Sequence, residues 1–505
     1  MPDDDAFSHL SARFRLQDFN KKGHIMENVA LALIPYPKYI TYRQESLAIM
    51  PIMEICDPMF VRPAKAFAGY AQRLVGVRFT EGRGASVVLR ADPDMQKGEY
   101  SLRVQTARVV LSAADEQGMQ YALATLGQLL RVVDGRVSLP VCEVRDLPDC
   151  EHRCVMIDLA RNWHPFDYLL SYVDLCWFYK VSRLHLHFTD DQSYTLPSAL
   201  YPELATEGRS YTSEDIAYLN KYAVERGVSL IPEIDVPGHC TQFCLAYPEI
   251  FGTDNIIPQT AEAMGAMQAL FAELCDMFPN AEFVHVGGDE AAIEKWTTNQ
   301  ACRAYAEECG IDFDNPDKRY LAERMLANFV QKMADAVTAK GKRVMAWEGF
   351  APTVNEFVSK DIIMHSWENY YQTTPQLLEG GFQIINSSWR PMYVVTPAAY
   401  WSQKEVYSWS IYRWTPVHPD SPYRGVTVEI PENQNVLGGQ LLAWGDTIPT
   451  SFPTVAEGIA EERRLVAQRM AALAENTWNR EKLRGYEEFF AAYESLARAA
   501  GILIG

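Results

Sequence analysis

The segment His285-Val286-Gly287-Gly288-Asp289-Glu290 places two adjacent carboxylates directly after two glycines and a short apolar run. Glycine permits sharp backbone turns and close approach of a ligand. The pair is therefore set to project from a strand end into a cleft. Like charges this close resist simultaneous ionisation, so one proton is retained more readily. An acid beside an anion is what cleavage of a glycosidic bond requires. Adjacent acidic residues also occur as plain solvated loops, but the glycines and the strand-end position favour the chemical reading.

Two further segments carry reactive types. In Leu184-His185-Leu186-His187-Phe188-Thr189-Asp190-Asp191-Gln192, alternation puts both histidines on one strand face. His-x-His is a zinc-ligand spacing, and equally serves as hydrogen-bonded filler in a barrel layer. In Ile231-Pro232-Glu233-Ile234-Asp235-Val236-Pro237-Gly238-His239, the Pro-Gly pair fixes a turn and presents His239. A histidine beside carboxylates holds a proton or tunes a neighbour; the alternative is a packing or capping role. Cys240 and Cys244 have helical spacing nearby but offer too few ligands for a metal. Trp347, Trp367 and Trp444 read either as core or as a box for a small apolar group such as an acetyl methyl.

The elements that must position these residues are short apolar runs alternating with helical stretches. The runs are 155–159, 183–188, 229–234, 282–286, 343–345, 362–365, 382–386 and 440–443. Eight strands with intervening helices predict an α/β fold, a (β/α)8 TIM barrel, whose active-site residues sit after the strand ends. Arg161, Asp190-Asp191, Asp235 and His239, Asp289-Glu290, Trp347-Glu348, Trp367, Tyr393, and Trp444 with Asp446 follow the eight runs in order. No helix is legible between the last two runs, where an aromatic stretch spans 389–435. Ahead of the barrel, runs at 86–90, 100–104 and 108–113 with an amphipathic helix at 118–130 read as a small α+β domain. The expected organisation is an N-terminal extension (1–24), the α+β domain (25–148), the barrel (149–480) and a C-terminal helix (481–505), with 457–500 strongly helical.

Composition bounds the partners. The 505 residues carry a formal net charge of -19 and 48% apolar residues. Such a chain is globular and disfavours nucleic acid and anionic membranes. No secretory leader and no bilayer-length apolar stretch is visible. The ten cysteines are scattered, as in a reduced protein. A cytoplasmic location is expected, or secretion if a leader is missing from the sequence.

Taken together, the motifs resemble glycoside hydrolase family 20, the β-N-acetylhexosaminidases. Asp158-Leu159-Ala160-Arg161, His187 to Gln192, Pro232 to His239 and Gly287-Gly288-Asp289-Glu290 occur in family order, and the resemblance runs from about Leu33 to Trp478. It implies an exo-acting enzyme that removes terminal β-linked N-acetylhexosamine with retention, the substrate's own acetamido oxygen acting as nucleophile. No metal or cofactor is implied. By resemblance Glu290 is the general acid and base, and Asp289 orients the acetamido group. Asp190 and His239 form a relay, Arg161 binds sugar hydroxyls, Tyr393 meets the acetamido oxygen, and Trp347, Trp367 and Trp444 wall the pocket.

Three positions depart from the family pattern: Val395 stands for a carboxylate, Asp446 for Glu and Asn162 for His. The first two imply a changed tolerance at the C4 or C6 hydroxyl, for GalNAc or for a 6-substituted sugar reached by Arg390 or Arg413. Two other functions fit the same text. One is a metal-dependent amidohydrolase using His185, His187, His239 and an aspartate. The other is a non-catalytic sugar-binding barrel. Oligomeric state is not legible.

Overall fold

All eight runs form strands, paired in parallel in chain order. They are β1 (His152–Asp158), β2 (Arg183–His187), β3 (Ser229–Val236), β4 (Phe283–Gly287), β5 (Arg343–Trp347), β6 (Ile363–Ser366), β7 (Ile384–Asn386) and β8 (Val436–Trp444). β8 pairs with both β7 and β1, which closes the barrel. The computed structural model describes residues 31–105 and 108–504; the extension expected over 1–24 lies outside them. Both faces of each strand are covered, so the strands are buried throughout, although the upper barrel layer places polar residues such as His185, His187 and Glu233 among the apolar ones.

The helices α1 (Phe166–Phe178), α2 (Ser213–Glu225), α3 (Ala261–Met277) and α4 (Lys318–Ala339) follow the first four strands. α2 starts at a reciprocal Thr212/Asp215 capping box. After β5 there is only a 3-10 turn, Pro352–Phe357, and after β6 the short α5, Thr374–Glu379. The 389–435 stretch, which shows no helix in its sequence, holds a short one at Gln403–Ser408, started by a Ser402/Glu405 capping box, and three of its aromatics serve packing. Trp409 lies against Gly439, where an added Cβ would come within 2.3 Å of the ring. Trp414 is fully buried and donates to Ser366 O, and Tyr407 donates to Arg484 O. At the start of this stretch, Tyr393–Val395 runs parallel to Leu442–Trp444, extending the β7 side of the barrel towards its mouth.

The C-terminal text is helical, with a break near 480. It divides into α6 (Val455–Trp478) and α7 (Tyr486–Ile504). Asn479 leaves the helix at φ -122°, and Arg484 folds back in a two-point pair with Glu475. Among the described residues no helix is long and apolar enough to cross a membrane.

The leading domain is an eight-stranded sheet covered by helices Val61–Val75 and Glu116–Leu129. The strands read at 86–113 are present. Tyr39–Ile49 escaped the reading because it is mostly exposed and contains the polar run Arg43-Gln44-Glu45-Ser46. The domain docks on α1. Tyr70 stacks on Trp177 at 3.7 Å, and buried Asp174 accepts hydrogen bonds from Tyr70, Arg73, Tyr222 and Arg226.

Candidate active site

The barrel interior beneath the mouth is polar. Glu233 of β3 is fully buried and gathers His185 (3.0 Å), His187 (2.6 Å), His285 (2.9 Å) and the indole N–H of Trp347 (2.7 Å). Burial alone would raise its carboxyl, but the three histidines hold it well below the ordinary range. This is where the His-x-His segment goes. His185 also meets Gln440 (3.0 Å), and His187 passes its other nitrogen to Asp190 (3.0 Å). The donor set imagined for an amidohydrolase is not assembled, because His185 faces Glu233 while His239 faces Asp190 and Glu290.

Above this layer the strand-end residues converge. The backbone must turn hard after β4: Gly287 has φ +70° and Gly288 φ +111°. A Cβ on Gly287 would fall 2.1 Å from Asp235 Oδ1, so only glycine fits. The turn delivers Asp289 into a buried position and Glu290 to the rim, where its N–H donates to the Tyr371 hydroxyl (3.1 Å). His239 stands beside it, with Nε2 3.4 Å from Glu290 Oε2 and Nδ1 3.3 Å from Asp190 Oδ1. Asp190 also takes Arg161 Nη2 at 2.8 Å. Asp190, His239 and Glu290 thus form one continuous chain.

Proton positions follow from these contacts. Burial opposes a charged His239, yet Asp235, Asp190 and Glu290 hold its pKa well above that of a free imidazole. The hydrogen bond from His239 pulls Glu290 down. Burial, reinforced by Asp235 and Glu290, pushes Asp289 well up. Burial also lifts Asp235 to about 7. Protons are therefore held on His239 and Asp289, while Glu290 and Asp190 are ionised.

The wall that meets this chain at Asp190 is cationic and aromatic. Arg161 is held by Asp158 (3.1 Å) and by Asp446 (3.2 Å), and its guanidinium lies 4.8 Å over Trp444. Trp444 packs towards Tyr393 (5.9 Å) and Trp347 (6.1 Å). Trp367 is buried and donates to Glu348 O, with Trp389 at 6.3 Å. Trp389 in turn stacks on Tyr393 at 5.4 Å. Asn162 is a buried tie that donates to Gly445 O between Trp444 and Asp446. Val395 stands half-buried opposite Trp444 in the strand pairing. Arg390 pairs with Glu405 and Arg413 with Glu429.

Sequence reasoning missed Tyr371, Trp389, His418 and the organising role of Glu233. Tyr371 follows the β6 strand end closely and was within reach of the strand-end rule. His418 sits in the long loop, 5.2 Å from Tyr370 and 6.0 Å from Trp389, with no local signal.

Comparison with known proteins agrees with this architecture. The chain is 27% identical over 404 residues to a beta-hexosaminidase of Vibrio furnissii, covering 72% of this chain and 64% of that protein. It is 31% identical over 329 residues to a beta-hexosaminidase of Akkermansia muciniphila, covering 56% and 66%. Both alignments span less than two thirds of the relative's length. Among solved structures it is similar to an exo β-N-acetylglucosaminidase of Vibrio harveyi in complex with N-acetylglucosamine (TM-score 0.78, 21% identity, 96% of this chain and 79% of that one). A β-N-acetylhexosaminidase of Bacteroides fragilis has TM-score 0.75 and 21% identity, covering 93% and 96%. The family model for domain 2 of glycosyl hydrolase family 20 matches residues 30–147, and that for its catalytic domain matches residues 150–481. The chain belongs to glycosyl hydrolase family 20.

Proposed function

We propose that the protein is an exo-acting β-N-acetylhexosaminidase that releases a terminal N-acetylhexosamine with retention, through an oxazolinium intermediate. The observation that carries this reading is the chain from Asp190 through His239 to Glu290, beside buried Asp289 and facing the Arg161 and tryptophan wall. No enzyme nucleophile is needed when the substrate's acetamido oxygen attacks the anomeric carbon. Asp289, buried under the site, orients that group and bears the charge that develops on it. Tyr393 donates to its oxygen, and Trp347, Trp367 and Trp444 enclose its methyl.

Glu290 delivers the proton to the leaving oxygen. Before a sugar binds, that proton rests on His239, 3.4 Å away. Entry of a sugar strips water from the rim carboxylate, raises its affinity for the proton and draws it across. Glu290 then takes a proton from the water that opens the oxazolinium. Arg161 grips the C3 and C4 hydroxyls. Asp446 is already engaged with Arg161, and Val395 offers no acceptor, so the far rim discriminates weakly at C4 and C6.

The decisive experiment is hydrolysis of an aryl N-acetyl-β-hexosaminide by the wild type and by Glu290→Gln. The wild type releases the aryl group, and the variant is slower by about 10²–10⁴-fold. Failure of the wild type on every such substrate overturns the assignment.

A further inference from the structure

We propose that Cys240 and Cys244 are a thiol-modification site: they close into a reversible disulfide, and closure disengages His239 from Glu290. The two Sγ atoms lie 4.0 Å apart already, each facing the other. Cys240 is fully buried and ends the turn that presents His239, while Cys244 is half-exposed one helical turn on. Positions four apart on a helix have Cα atoms about 6 Å apart, inside the range of about 4.4–6.8 Å that a disulfide spans. The other eight cysteines are also free thiols.

The bond forms with an external oxidant, a peroxide. The Cys244 thiolate attacks the peroxide oxygen, giving a sulfenic acid and releasing water once the leaving hydroxide is protonated. The Cys240 sulfur attacks the sulfenic sulfur, the S–S bond forms and a second water leaves. The two thiols lose two electrons and the peroxide gains them. A dithiol reverses the change by exchange. Cys244 is the attacking group because it is the accessible one, and because the Cys240 thiol donates to its sulfur and favours the thiolate.

Closure must shorten the sulfur separation from 4.0 Å to about 2.05 Å. The segment that moves is anchored to the catalytic chain. Next to Cys240, His239 occupies φ +48°. On the other side Thr241 donates through both N–H and hydroxyl to Asp191, whose own N–H donates to Asp190. Gly238 packs close beside the segment carrying the carboxylates, where an added Cβ would lie 3.3 Å from Ala291 Cα and 3.4 Å from the carbonyls of Asp289 and Glu290. A displacement of Cys240 is therefore passed to His239 and to the Asp191 tie.

The test treats the full chain with hydrogen peroxide, blocks remaining thiols with N-ethylmaleimide, maps the peptides by mass and assays aryl N-acetyl-β-hexosaminide hydrolysis. A crosslinked 240–244 peptide is expected, with activity lowered by about 10²-fold, the lower end of what a displaced proton carrier costs. Dithiothreitol restores it. Cys244→Ser keeps basal activity and resists peroxide. The proposal is overturned by absence of the crosslink where exposed Cys56 is oxidised, by a full crosslink with unchanged activity, or by equal inactivation of Cys244→Ser. The loss of activity rests on the proposed function, whereas the mass map does not. Should the protein hydrolyse no hexosaminide, the crosslink and the His239 ring shift in NMR still read the switch.

Discussion

His239 Nε2 stands 3.4 Å from Glu290 Oε2, and both residues occupy left-handed backbone at φ +48° and +49°. Neither is glycine, so each conformation costs on the order of 1–3 kcal/mol. The fold spends this strain at the one contact where a proton store meets the rim carboxylate. The consequence is a division of labour: His239 keeps the proton and Glu290 moves it.

That division fixes the alkaline limb of the pH profile. Burial disfavours the His239 cation, but its acidic neighbours raise its pKa net above the ordinary imidazole value of about 6.5. The proton stays on the pair through neutrality and is lost as pH rises through that raised value. In His239→Gln the proton sits on Glu290 alone. The cation that depressed Glu290 is gone, so its pKa rises, yet it remains a carboxyl. The alkaline limb of kcat/KM therefore moves to lower pH, with kcat reduced by about 10² or less. An unmoved limb would show that His239 does not hold the transferred proton.

The turn carrying the carboxylates tolerates no extra atom. A Cβ on Gly349 would lie 1.9 Å from Gly288 O and 2.9 Å from Asp289 Cα, both backbone. Gly349→Ala is expected to destabilise by about 1–3 kcal/mol, as overpacking does, and to cut activity by shifting Asp289. Gly265 on α3 has nothing near its missing Cβ. Gly265→Ala should be neutral or stabilising by about 0.4–1 kcal/mol. Thermal melts of the two variants beside wild type separate the local clash from a generic glycine effect.

The barrel and its mouth were legible for one reason. Parallel strands buried on both faces write continuous apolar runs, and the residues directly after them are close in space although far apart in sequence. Arg161, Asp190, His239, Asp289, Glu290 and Trp444 were all reachable this way, and the structure gathers them. What was not legible depends on contacts without periodicity. Glu233 looked like one more strand residue until three histidines from two strands turned towards it. His418 comes from a loop whose path is set by Glu368 accepting the N–H groups of Val417 and His418. The boundary near 480 was legible, whereas the fold-back of Arg484 onto Glu475 that fixes the turn between α6 and α7 was not.

Specificity at the far rim tests the departures at Val395 and Asp446. With no carboxylate at 395, Asp446 is the acceptor left at this rim, and one of its oxygens is held 3.2 Å from Arg161. Wild-type initial rates on GalNAc or 6-sulfo-GlcNAc aryl glycosides should match or exceed those on GlcNAc. Val395→Asp should shift the ratio towards GlcNAc by about tenfold, the worth of roughly 1.4 kcal/mol for one added acceptor. A strong wild-type preference for plain GlcNAc sinks this reading.

Stability should carry a pH signature of its own, to which His164 contributes alongside the raised histidines of the active site. His164 is fully buried, with Nδ1 2.9 Å from Asn162 O and Nε2 2.9 Å from Glu462 Oε1. Both partners are acceptors, so the ring satisfies them only when doubly protonated. Burial works against the charge, but Glu462 outweighs it, and the net pKa is raised above 6.5. A histidine raised on folding contributes its full stabilisation below its unfolded pKa and loses it as pH rises through the folded value. The pair ties the loop after β1 to α6, so its loss loosens the frame around Arg161. Wild-type melting temperature should therefore fall as pH climbs from about 6.5 towards 9. His164→Gln should be less stable at low pH and fall less steeply across that window than the wild type, because the amide has no proton to lose while His239 and His187, also raised, still do. Parallel slopes for the two proteins would place the alkaline loss elsewhere.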